Sequence, residues 1–182
     1  KNVSQSGSGS GFAIGRDITT SSKGMVIGIN SSATRSSLAI GSGATASGTN
    51  SVSLGTGTVA GSPGSTRPNI VAVGFRTSVT GNSTNSINIG SKNLISGNKE
   101  SVAVGSSNII SGGGTRGIAL GIQNVVSREG IAIGRSNRST KSQLVMGVGN
   151  VSAPASGNGG WEITIGSYNT GNFSSNIIGK LN

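Results

Sequence analysis

Twelve times along this chain an apolar–small–apolar triplet runs straight into a Gly, at positions 15, 28, 41, 55, 74, 90, 105, 121, 134, 147, 166 and 179. The copies read FAIG, MVIG, LAIG, VSLG, VAVG, INIG, VAVG, IALG, IAIG, LVMG, ITIG and NIIG. Both outer positions are apolar in the first eleven, and only the last, with Asn176 before Ile178, breaks the pattern. The Gly-to-Gly spacings are 13, 13, 14, 19, 16, 15, 16, 13, 13, 19 and 13. Alternation over three residues is the period of a β-strand, and repetition at this interval is the mark of a solenoid. A unit of 13–16 residues is too short for a strand–helix–strand crossover or a propeller blade. It suits one coil of a parallel β-roll, so the sequence predicts an all-β solenoid of about twelve coils. At about 4.8 Å per coil that makes a rod roughly 55–60 Å long.

The Gly closing each triplet suits a tight turn with positive φ. Six copies place Asn three residues further on, at Asn93, Asn108, Asn124, Asn137, Asn150 and Asn169. Asn tolerates the left-handed region and bonds to nearby backbone, so it is a turn residue with a mechanism. A weaker second strand follows, as in Leu94–Ile95, Ile109–Ile110 and Val125–Val126.

Within the triplet the outer side chains share one face and the middle one takes the other. Six middle positions are Ala: Ala13, Ala39, Ala72, Ala103, Ala119 and Ala132. The expectation drawn is that the large outer residues fill the coil's own core while the Ala face packs against identical chains. Those six alanines are therefore the candidate oligomer interface. A closed cyclic assembly would bury them.

Composition narrows the class. The 182 residues read as one repetitive domain, 1–182, with a flexible lead-in over 1–11. Aromatics make up only 3% and charged residues 10%, and there is no Cys or His. Low charge with a regular apolar pattern speaks against disorder. Without thiolates or imidazoles, disulfides, most zinc sites and His-based acid–base chemistry drop out. The four acids are Asp17, Glu100, Glu129 and Glu162. Glu100 and Glu129 each follow a base, Lys99 and Arg128, and read as local charge balance. No catalytic, metal or cofactor site is expected, and the chain reads as non-enzymatic.

Fourteen Lys and Arg against these four acids give a net charge of +10, which attracts acidic partners. Basic residues fall just after the Gly turns or between coils: Arg16, Arg76, Lys92, Arg135, Arg138 and Lys141. The two 19-residue spacings hold insertions at about 62–69 and 152–160, which bring Arg67 and the flanking Trp161. Both follow the second strand, so both should project from one edge. Loops on a rigid scaffold are common binding elements. Arg67, Trp161, Arg76, Lys92, Arg135, Arg138 and Lys141 are thus the candidate ligand-binding residues. Five aromatics give no succession of stacking platforms, so specific nucleic-acid reading is not expected.

Asn50-Ser51-Val52-Ser53-Leu54-Gly55, Asn85-Ser86-Ile87-Asn88-Ile89-Gly90 and Glu100-Ser101-Val102-Ala103-Val104-Gly105 resemble a known repeat, Asn-Ser-Val-Ala-Ile-Gly. It is the repeat of YadA-like heads of trimeric autotransporter adhesins of Gram-negative bacteria. Leu38 to Gly48 is similar to that repeat over both of its strands. The resemblance implies a left-handed parallel β-roll, assembled as a homotrimer and carried on a stalk above the outer membrane. It also implies attachment to an extracellular matrix protein, a host cell surface, an acidic glycan or an abiotic surface. The sequence is then expected to be the head portion of such a protein. A structural spacer or a phage-fibre segment without its own ligand is the alternative. An ice-binding solenoid would need a regular Thr ladder, which the sequence does not present.

Overall fold

The computed structural model describes residues 2–6, 10–62, 68–141, 143–152, 162–171 and 176–180. They form two parallel sheets of twelve strands each, with no helix among the described residues. One sheet collects every triplet–Gly strand, from Phe12–Arg16 to Asn176–Lys180; we call it the motif sheet. The other, the companion sheet, collects the short strands between them, from Val3–Ser6 to Thr170–Gly171. The chain alternates between the sheets at each step, which is the winding of a parallel β-solenoid.

Register in the motif sheet follows the repeat residue for residue. Val71, Ile87, Val102, Ile118, Ile131, Leu144 and Ile163 form one column, and Gly74, Gly90, Gly105, Gly121, Gly134, Gly147 and Gly166 another. The Gly column shows why no other residue serves. Gly105 has φ 122°, and a Cβ built on it would lie 1.9 Å from the carbonyl oxygen of Gly121 in the next coil. The missing side chain is what lets the coils stack at this corner.

The core lies between the sheets and reverses the expectation for the triplet. Ala39, Ala72, Ala103, Ala119 and Ala132 are fully buried within the single chain, and Ala13 packs partly buried against the same interior. The large outer residues face away: Phe12, Ile14, Met25, Ile87 and Ile89 are 40–53% exposed. The six alanines are therefore not a surface offered to another chain. Their small size is demanded by the opposing sheet. Each middle residue shares the interior with the residue seven places on: Ala72 with Val79, Ala103 with Ile110, Ala119 with Val126. In two coils the sizes are exchanged, Val26 with Ala33 and Val145 with Ser152, whereas Asn88 faces Ile95. Small against large keeps the interior filled at the close packing proteins require.

This seven-residue step is the same from Ala13–Thr20 to Thr164–Gly171, so all variation in repeat length falls on the return from companion to motif strand. The coil thus has two unlike edges. The Gly-turn edge is short and regular, whereas the loop edge absorbs the insertions.

Candidate interaction surfaces

Each letter of the repeat has a physical task. At the loop edge Asn50 and Asn85 take the left-handed conformation, with φ 53° and 49°, and Glu100 stands in the same place at 50°. The following Ser is buried and links coils: Ser86 Oγ donates to the Thr84 carbonyl at 3.0 Å and accepts the Ser101 N–H at 3.2 Å. Ser101 repeats this with the Lys99 carbonyl and the Gly117 N–H. The two outer apolar residues point out, the middle one points in, and the Gly turns the corner.

Past the corner the six Asn form a buried ladder. Asn108 Nδ2 donates to the Val104 carbonyl at 3.1 Å and to the Gly121 carbonyl of the next coil at 2.8 Å. Its Oδ1 accepts the Asn124 N–H at 3.0 Å. Asn93, Asn124, Asn137 and Asn150 make the equivalent bonds, and Asn169 donates to Ile165 and Gly179. From Asn93 to Asn150 each amide both donates and accepts, as a buried polar group must. Earlier coils place other residues here. Ser31 bridges Ile29 and Gly41 with its hydroxyl, whereas the Thr77 hydroxyl is buried without a partner.

Four surfaces remain. The outer face of the motif sheet carries two continuous apolar columns, one running through eleven successive coils to Ile163 and the other through all twelve to Ile178. Several members are strongly exposed, among them Ile14 at 53% and Ile89 at 40%. A strip about 50 Å long and two side chains wide is an exposed apolar patch of the size that marks interaction surfaces.

The outer face of the companion sheet is mixed. Leu94, Ile109 and Val125 run beside a hydroxyl column of Thr80 with Ser96 and of Ser111, Ser127 and Thr140. Matching hydroxyls therefore do occur on successive coils, although Ser and Thr alternate irregularly. Some are already engaged: Thr34 and Thr140 donate to the carbonyls of Ser47 and Ser152.

The two edges divide the basic residues. Arg76, Lys92 and Arg135 lie on the Gly-turn edge, and Arg138 begins the companion strand beside it. Lys141 lies on the loop edge, away from them, in the company of Lys99, Arg116 and Arg128. Arg67 and Trp161 lie outside the described residues, as do most of both insertions. Glu162 is placed unlike the other acids. It is 1% exposed, and its carboxylate accepts from Gln143 Nε2 and Thr164 Oγ1, each at 3.2 Å. That interior carboxylate has no counterpart in the sequence reading, because nothing in a lone Glu before Ile163 marks it as buried.

The YadA head domain repeat matches residues 35–58, in two copies. That stretch spans two successive motif strands, Leu38–Ser42 and Val52–Thr56, with the companion strand Thr45–Ala46 between them. The chain carries YadA head repeats. The register that joins these two copies continues to the other motif strands, so coils of the same geometry build both sheets. YadA heads belong to a family of adhesins and are not enzymes. No curated protein matches the chain.

Proposed function

We propose that this chain is the head of a bacterial surface adhesin, working as a homotrimer at the outer membrane of a Gram-negative cell. In this reading three rods wind left-handed and meet around one axis through their motif sheets. The observation that carries it is the pair of unbroken apolar columns on that sheet, whose exposure in a single chain is relieved when three copies close on one another. Closing them turns the companion sheets and both edges outward. A repeated surface in three copies then offers many weak contacts at once, which raises avidity without any single strong site. Matrix proteins, host cells, acidic glycans and abiotic surfaces are the candidate attachment targets.

The test is retention of the purified head on immobilised matrix proteins, heparin and bare plastic at low and high salt. Retention on at least one of these surfaces is expected. A head that binds none of them acts as a spacer instead.

A further inference from the structure

On the Gly-turn edge the two residues after each repeat Gly form two columns running along the rod. The first contains Phe75, Ser91, Ser106, Ile122 and Arg135 in register. The second places Arg76 and Lys92 on successive coils, both in the left-handed conformation, with φ 52° and 56°. Lys92 N–H donates to the Phe75 carbonyl at 2.8 Å, which sets the backbones of Arg76 and Lys92 about one coil rise, ~4.8 Å, apart along the axis. Arg76 lies over the Phe75 ring, 5.0 Å from its centre.

Nothing among the described residues neutralises this row. Arg76, Lys92, Arg135 and Arg138 are all exposed, and none pairs with an acid. The acid on this edge, Asp17, lies several coils away and is already beside Arg16, at 3.6 Å. The loop edge differs, because Glu100 and Glu129 stand among its bases. The Gly-turn edge therefore presents positive charge in single file with no acid interspersed: two cations together, then two more about 14 Å further along the axis.

We propose that the Gly-turn edge from Phe75 to Arg138 binds a linear acidic glycan laid along the rod. This rests on the reading of the chain as an attachment head and names the chemistry of one ligand. Sulfate or carboxylate groups would accept from the guanidinium forks of Arg76, Arg135 and Arg138 and from the Lys92 ammonium. Phe75 and Ile122, exposed at 42% and 49%, supply apolar surface for sugar-ring faces. Single-file charge suits one flexible polyanion. Reading of nucleic acid by stacking needs aromatics in succession, and Tyr168 on this edge stands six coils from Phe75, about 29 Å.

The repeat supplies substitutions that keep the turn intact. Gly43, Gly57 and Gly149 occupy the column of Arg76 and Lys92 with φ 63–68°, so Arg76→Gly with Lys92→Gly removes two charges without strain. Lys99→Thr with Arg116→Asn is the loop-edge control, since Thr115 pairs with Lys99 and Asn85 shares the place of Arg116. Binding of a heparin-type sulfated oligosaccharide to the parent chain and both doubles is measured across a salt series. The Gly-turn double should weaken binding about tenfold or more and lower the salt slope by about two ions. The control should stay within about threefold of the parent. Equal losses in the two doubles would overturn the assignment to this edge. A parent chain indifferent to the oligosaccharide would overturn the proposal while leaving the adhesin reading to its own surface-retention test. Equal affinity for duplex DNA, lost in the same double, would overturn the choice of a glycan.

Discussion

Asn108 and Asn124 are joined through their side chains across one coil: Asn108 Oδ1 accepts both the backbone N–H of Asn124, at 3.0 Å, and its Nδ2, at 3.1 Å. The same hand-over recurs from Asn93 to Asn108 and from Asn150 to Asn169. The ladder binds each Gly corner to the next at the point where the strands leave the sheet.

Asn108→Ala should therefore destabilise the rod by about 2–5 kcal/mol, since the Val104 and Gly121 carbonyls lose their donor inside the protein. Asn108→Asp should be worse, because it removes the donor and buries a charge. Urea unfolding followed by circular dichroism checks both.

Thr77 gives the opposite case. It occupies the ladder position one coil before Asn93, and its hydroxyl is buried without a partner. Thr77→Asn should extend the ladder by one rung and raise stability by about 1 kcal/mol. An unchanged or lower unfolding midpoint would show that the ladder is not extensible there.

Neighbouring residues on one strand should respond in opposite ways. Ala103 is fully buried against the companion sheet, while Val104 is 36% exposed on the motif-sheet face. Ala103→Leu overpacks the interior and should cost about 1–3 kcal/mol in chain stability. Ala103→Arg would bury a charge and damage the fold itself, not only the assembly. Val104→Lys should leave the coil intact and shift the mass toward a single chain. Sedimentation together with thermal unfolding separates these effects.

Gly105→Ala tests the corner. Its φ of 122° and the 1.9 Å approach of a Cβ to the Gly121 oxygen leave no room for a methyl group. We expect loss of cooperative unfolding around this coil, read by amide hydrogen exchange at Gly121 and Ile122.

The repeat, both strands of each coil and the Gly corner were legible in the sequence, because each is a local demand of backbone geometry. The Asn expectation is corrected: the left-handed φ falls on the residue before each Asn, such as Ser107 at 56°, and the Asn side chain turns inward and bridges coils. The side of the triplet that faces inward was not legible. Alternation shows that Ala103 and Val104 point in opposite directions, but not how closely the second sheet approaches. A reader who assumes that large residues fill cores assigns the faces backwards. The deciding signal was the pairing at seven residues, Ala103 with Ile110 and Val145 with Ser152, where size on one strand compensates for size on the other. Of the basic candidates, the structure groups Arg76, Lys92, Arg135 and Arg138 and sends Lys141 to the far edge, because the number of residues since the last Gly decides the edge. Burial of Glu162 depends on the packing of Gln143 and Thr164, which no spacing reveals.

In the proposed trimer the exposed apolar columns of the motif sheet are the contact between chains. Light scattering coupled to size exclusion tests it most directly, on the parent chain and on Ile89→Lys with Val104→Lys. A trimer gives three times the 17.8 kDa chain mass for the parent, and the double variant should show a lower mass. A parent chain that stays folded and monodisperse at 17.8 kDa would contradict it.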